Sequence, residues 1–167
     1  MAELRRVYWD ACVWLGLING EASKKRAVEY VYNSARAGTH EIWTSTMSYV
    51  EVFRIKGEEA NPKPYAATGL DKIEAMFEQE FIKLVPIDVE VAKLARRLLR
   101  EHDKLKKRPD AIHLASAIRW SIDQLHTYDG NDLLHLDGKL KTKAGTVLRI
   151  TPPDDPPDGP LFQPKSP

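Results

Sequence analysis

Five acidic side chains carry the chemical interest of this sequence: Asp10, Glu51, Asp110, Asp129 and Asp132. Carboxylates gathered at one point repel each other in water. Hard oxygen ligands of this kind are what Mg2+ or Mn2+ requires, and such an ion activates water for hydrolysis. Each acid also has a plainer use. Asp10 follows the strand-like run Arg-Arg-Val-Tyr-Trp, where a lone aspartate is more often a helix cap or turn former. Glu51 has Met47 and Ile55 at i−4 and i+4, so its carboxylate is expected to be partly buried and in need of a cation or donors. A surface ion pair to Arg54 or Lys56 is the alternative. Asp110 stands at a helix start, after the basic run 104–108, where the peptide dipoles favour its ionised form and capping alone would explain it. Asp129 and Asp132 lie in Thr-Tyr-Asp-Gly-Asn-Asp-Leu, a turn sequence able to aim two carboxylates the same way. Taken together, acids at four separate strand ends suggest a metal cage.

The elements that must position these acids follow from apolar spacing. Residues 5–9 read as a strand, and Val13, Trp14, Leu17 and Ile18 after Asp10 have helical spacing. A second helix is expected over residues 23–37, stopped by Gly38. A short strand over 41–44 leads to a helix over 45–56 and then a Pro-containing loop over 57–64. Another helix over 65–78 precedes an apolar β-rich run at 81–87, after which Asp88 can cap a long helix carrying Val91, Leu94, Ala95, Leu98 and Leu99. Pro109 and Asp110 open a further helix, since proline is favoured in a first helical turn. In that helix the small residues of Asp-Ala-Ile-His-Leu-Ala-Ser-Ala let the backbone lie close to a sheet. Strands are expected at 124–128 and 146–151. Alternation of this kind predicts an α/β fold, a mostly parallel sheet flanked by helices, and ligands in such sheets bind beyond the carboxyl ends of the strands.

Length and composition bound the rest. A chain of 167 residues, 43% hydrophobic and 29% charged, fits one packed domain. The expected division is a folded domain over 1–151 and a tail over 152–167, rich in proline and aspartate and read as extended. A net charge of +1 rules out a generic polyanion binder, so any contact with nucleic acid depends on local charge. Lys104, Lys106, Lys107 and Arg108 are the candidates for holding a phosphate backbone, against a solvated helix end. The single cysteine, Cys12, excludes an internal disulfide and suits a reducing compartment. No stretch has the apolar length of a signal peptide or membrane span, so a cytoplasmic protein without membrane contact is expected. His113, one turn into an apolar helix, reads as a packed, hydrogen-bonded residue. Trp9, Trp14, Trp43 and Trp120 read as core or partner-facing aromatics rather than base-stacking platforms.

Asp10 after the first strand, Ser48-x-x-Glu51, Asp110-Ala-Ile-His-Leu-Ala-Ser-Ala and Thr127-x-Asp129-x-x-Asp132-Leu together resemble the ordered motifs of PIN-domain nucleases. The resemblance spans almost the whole folded part and resembles in particular the toxins of the VapC type. It implies a three-layer α/β sandwich and an acidic quartet of Asp10, Glu51, Asp110 and Asp129 binding Mg2+ or Mn2+, with Asp132 as a secondary acid. It further implies hydrolysis of RNA, an antitoxin protein partner and a homodimer, with Thr127 and Ser48 as supporting hydroxyls. The chain departs from the pattern at Ala11 and Cys12, where many relatives carry Ser, Thr or Asn, and its hydrogen bonding there is open. Two other readings compete. A phosphatase or dehalogenase-like hydrolase would use Asp10 as nucleophile, but position 12 is Cys12 where its Asp-x-Asp pattern needs an acid. A signalling receiver, or an inactive metal-binding or protein-interaction domain, would bind metal without cleaving RNA.

Overall fold

The computed structural model describes residues 4–157. Strand β1 (Arg5–Trp9) shows how the layers arise. Side chains alternate across a strand, and here both faces are covered. Val7 and Trp9 pack into one apolar cluster, with Val13, Trp14, Val28, Ile73 and Phe77. Tyr8 packs into another, with Val91, Leu98, Leu114 and Leu125. The first cluster lies under α1 (Ala11–Ile18), α2 (Ala22–Arg36) and α4 (Ala67–Phe77), and the second under α5 (Val89–Glu101) and α6 (Arg108–Arg119). Hence the fold is a three-layer α/β sandwich.

The central sheet also holds β2 (His40–Ser45), β3 (Ile82–Val85), β4 (Gln124–His126), β5 (Leu140–Lys141) and β6 (Val147–Thr151). Its order is β3-β2-β1-β4-β6-β5, six strands among the described residues, with only the β5–β6 pair antiparallel. From β1 the chain moves outward to β2 and β3 on one side, then returns to place β4 on the other. The order reverses between β1 and β4, so a crevice opens beyond their carboxyl ends.

Local signals account for most boundaries. Asp88 Oδ1 accepts the Val91 N–H at 2.8 Å and caps α5. Gly38, at φ +80°, takes the left-handed conformation that ends α2. The helix expected over 45–56 is shorter: α3 spans only Met47–Glu51. Val52 turns inward and is buried, while Val50 and Phe53 are exposed. The apolar residues of this segment therefore do not share one buried face, which is why a single long helix does not form. The antiparallel β5 and the helical turn Leu134–Leu136 were not anticipated. Trp9 and Trp14 are fully buried with rings 4.7 Å apart, and Trp43 and Trp120 pack at 6.2 Å. Residues 152–157 have no regular structure, although Pro153 is buried and Asp154 pairs with Arg5 at 2.5 Å. The remainder of the expected tail, 158–167, lies outside the described residues.

Candidate metal centre

Asp10 is the first residue beyond β1, in extended conformation, and it caps α1 by accepting the Val13 N–H at 3.2 Å. The capping role expected of a lone aspartate is real, but it does not exhaust the side chain. Oδ1 also accepts the Cys12 thiol at 2.8 Å, and Oδ2 accepts the Thr127 hydroxyl at 2.5 Å. Thr127 follows β4, the strand beside β1, so this bond ties the two sides of the crevice together. The Thr127 oxygen in turn accepts the Asp129 N–H at 2.9 Å.

The Asp129 carboxylate folds its own turn, Oδ1 accepting the N–H groups of Asn131 and Asp132 at 3.0 and 2.8 Å. Asp132 reaches across to the entry of α6, where its Oδ2 accepts the N–H groups of Lys106 and Lys107 at 3.1 and 2.8 Å. Helix starts leave such N–H groups without partners inside the helix, so Asp132 fixes this end of α6 against the β4 loop. Pro109 and Asp110 follow in its first turn. The outcome is that one carboxylate oxygen each from Asp110, Asp129 and Asp132 lie within 4.8 Å of one another.

Charge in this cluster is unevenly balanced. Burial pushes the Asp110 carboxyl up, to about 7, with Lys107 opposing and Asp129, Asp10 and Asp132 adding repulsion. Asp110 Oδ2 is buried and has no hydrogen-bond partner among the described residues. Asp129 behaves differently. Burial would raise it, but the Lys107 ammonium and the N–H groups of Asp132 and Asn131 hold it below the ordinary carboxylate range. Lys107 Nζ lies 2.5 Å from Asp129 and 3.6 Å from Asp110, a built-in cation where the sequence suggests either a phosphate-backbone contact or a solvated helix end. Its spacing of three residues from Asp110 across one helical turn was the available signal.

Asp10 and Glu51 stand beside this group rather than within its 4.8 Å radius. Burial raises Asp10 above the ordinary carboxylate range, and the opposing pull of His113, Cys12, Thr127 and Val13 does not outweigh it. Both Asp10 oxygens are already engaged and the residue is 2% exposed, an unfavourable setting for the nucleophile of a phosphatase-like hydrolase. Glu51, the last residue of α3, bonds to neither Arg54 nor Lys56. Its Oε2 lies 2.6 Å from His113 Nε2. His113 Nδ1 meets the Tyr8 hydroxyl at 2.9 Å, and that hydroxyl accepts the Ser45 N–H at 3.0 Å. His113 is thus the packed, hydrogen-bonded residue expected. Burial opposes its charge, but Tyr8, Glu51 and Asp10 outweigh this and push it up to about 10. Ser48 is buried and lies 2.7 Å from Thr44 Oγ1, which donates to the Trp9 carbonyl. It anchors α3 to the sheet.

Cys12 fills the place where the motif departs from its pattern. Burial and then Asp10 push its thiol up, so it stays protonated and donates to Asp10, while accepting the Tyr128 N–H at 3.1 Å. A thiol therefore does the bridging work of a hydroxyl at this position.

A divalent cation suits the three grouped acids. Their donor set is all hard oxygen, the neighbouring carboxylates add to the raised proton affinity of Asp110, and Asp110 supplies a buried oxygen that accepts no hydrogen bond among the described residues.

The PIN domain family profile matches residues 7–139. Two solved structures share the architecture. VapC20 of Mycobacterium tuberculosis, described as a sarcin–ricin loop cleaving toxin, is 16% identical with a TM-score of 0.58, covering 75% of this chain and 91% of that one. VapBC2 of Rickettsia felis, solved bound to a DNA fragment from its promoter, is 12% identical with a TM-score of 0.59, covering 89% of this chain and 99% of that one. No curated protein sequence matches the chain.

Proposed function

Because the chain belongs to the PIN-domain family, we propose that it is a Mg2+- or Mn2+-dependent ribonuclease that hydrolyses RNA phosphodiester bonds, acting in the cytoplasm as the toxin of a toxin–antitoxin pair. The observation that carries the reading is the convergence of Asp110, Asp129 and Asp132 at the β1–β4 crevice, with one buried oxygen of Asp110 accepting no hydrogen bond among the described residues and facing only the Lys107 ammonium at 3.6 Å. Asp110, Asp129 and Asp132 would hold the ion, with Asp10 as a fixed charge beside them. When bound, such an ion activates water and neutralises charge on the leaving oxygen.

The chain's own residues supply the preorganisation. Thr127, Cys12 and the Val13 N–H hold Asp10 from three directions, so its charge keeps one position during reaction. His113 orients Glu51 and leaves the other Glu51 oxygen without a hydrogen bond among the described residues, free to position water or substrate. Asp132 holds α6, and with it Asp110, against the turn that carries Asp129. Lys107, paired with Asp129, would meet a substrate phosphate that approached the acids. A small antitoxin would silence such a site by presenting a basic side chain to the carboxylates, and Lys107 shows that an ammonium fits between them. A homodimer is proposed from the family alone.

The presence of Lys107 also favours a second reading, an inactive PIN-like domain in which this lysine neutralises the acids permanently. Incubating the purified protein with structured and single-stranded RNAs, with Mg2+ or Mn2+ and with chelator, separates the two. Cleavage that disappears with chelator and in Asp110→Asn is expected. Intact RNA in every tube, or equal cleavage by Asp110→Asn, would reject the proposed activity.

A further inference from the structure

A second charged feature lies outside the acidic centre. Along α5 runs a cleft of about 870 Å³, with seven cationic and two acidic lining residues. That is an excess of five positive charges in a chain whose net charge is only +1. Three of the cations are engaged: Lys93 with Glu90 at 3.3 Å, Arg97 with Glu101 at 3.8 Å, and Arg119 with Asp88 at 3.8 Å. The other four, Arg96, Arg100, Lys141 and Lys143, are exposed and make no ion pair among the described residues.

We propose that this groove binds the phosphodiester backbone of the RNA substrate and leads it into the acidic centre. The inference rests on the ribonuclease reading and adds to it a binding track distinct from the carboxylates. Three features favour an RNA backbone over an acidic protein segment. The cations of α5 recur at 93, 96, 97 and 100, a helical stripe on an element roughly 20 Å long at 1.5 Å per residue. Four of the seven are arginines, whose planar donor fork matches phosphate oxygens in pairs. The lining offers only Leu94 and Ile118 as apolar residues, and Ile118 is buried, so a protein segment would find little to anchor it.

The direction of the track follows from chain continuity. Arg100 lies one residue before the end of α5. The connection that follows carries Lys104, Lys106 and Lys107, and Lys107 touches Asp129. A backbone lying on α5 thus passes over these lysines before reaching the three acids. At the other end, Lys141 and Lys143 beside β5 extend the charge past the carboxyl end of α6.

The test uses the full chain with Arg96, Arg100, Lys141 and Lys143 all changed to Gln, in the active background and in Asp110→Asn. Since the four side chains make no ion pairs among the described residues, an unchanged melting temperature is expected. In the Asp110→Asn background, binding of a fluorescent mixed-sequence RNA of about 30 nucleotides should weaken at least ~10-fold. The slope of log affinity against log salt should fall by up to about 2.8, about 0.7 for each lost single-strand phosphate contact. In the active background, cleavage of the long RNA should slow through KM, while a substrate too short to leave the acidic centre is cleaved as before. DNA of the same sequence and polyglutamate serve as the other ligands. Unchanged RNA affinity and salt slope in the groove variant would overturn the proposal, as would groove-dependent binding of polyglutamate without binding of RNA. A protein that cleaves nothing but loses RNA affinity in the groove variant would reject the ribonuclease activity and leave the RNA track standing.

Discussion

The two flanks of the β1–β4 crevice hold the same kind of side chain in opposite states. On the β1 flank, Asp10 is buried with donors on both oxygens, and Glu51 is held by His113. On the α6 flank, Asp110 is also buried but keeps an oxygen with no hydrogen bond among the described residues and carries the repulsion of its neighbours. Burial alone therefore does not identify a ligand. A buried carboxylate whose donors are built into the fold is held in position, whereas one left without hydrogen-bond donors stores a demand that an external cation can meet.

The largest effect should come from removing that demand. Asp110→Asn is expected to lower metal-dependent RNA cleavage by about 10²–10³-fold, the usual scale for losing one electrostatic stabiliser. The same change should raise the melting temperature in chelator above pH 7, because it deletes a repelled charge. Thr127→Val should do the opposite. It removes the donor to Asp10 Oδ2 and the acceptor of the Asp129 N–H, and should cost about 1–3 kcal/mol in denaturant unfolding. If both variants shifted stability in the same direction, the contrast between the flanks would collapse.

The pH dependence sharpens it further. The Asp110 carboxyl in the folded chain titrates at about 7, raised from 3.8, so below that pH a divalent ion must displace a proton. Mn2+ affinity measured by calorimetry should rise about tenfold per pH unit up to about 7 and level off above it. Linkage has the same sign for the metal-free protein. A folded pKa above the unfolded value means that stability declines as pH rises from about 4 through about 7. Asp110→Asn should flatten both curves, and an unchanged slope would transfer the titration to another group.

Lys107 should give the smallest change. Its ammonium is largely exposed, and exposed ion pairs are worth at most about 1 kcal/mol, so Lys107→Met should tighten Mn2+ binding by no more than about fivefold. Weaker binding of Mn2+ in this variant would mean that the lysine supports the site rather than competing for it.

Some of this was legible in the residues. Strand and helix alternation, the caps at Asp10 and Asp88, and the group of acids at strand ends all follow from local periodicity and turn chemistry, which depend on near neighbours. The partners of those acids do not. Glu51 reads in sequence as a partly buried carboxylate in need of a cation or donors, with Arg54 or Lys56 on its own helix as the alternative, but α3 stops at Glu51 and the carboxylate turns to His113, 62 residues away. Cys12 reads in sequence as a break in a pattern. It donates to Asp10, two residues away, but it becomes a bridge only because β4 lies beside β1 and brings the Tyr128 N–H within reach of its sulfur.

The sequence by itself determined which residues carry charge and which elements they begin or end, because capping, periodicity and turn preference act over a few residues. Only the tertiary structure decided which carboxylates are satisfied, which lysine enters their midst, and that the cations of α5 and β5 line one groove. Those outcomes depend on strand order and helix packing, which bring together groups far apart in the chain.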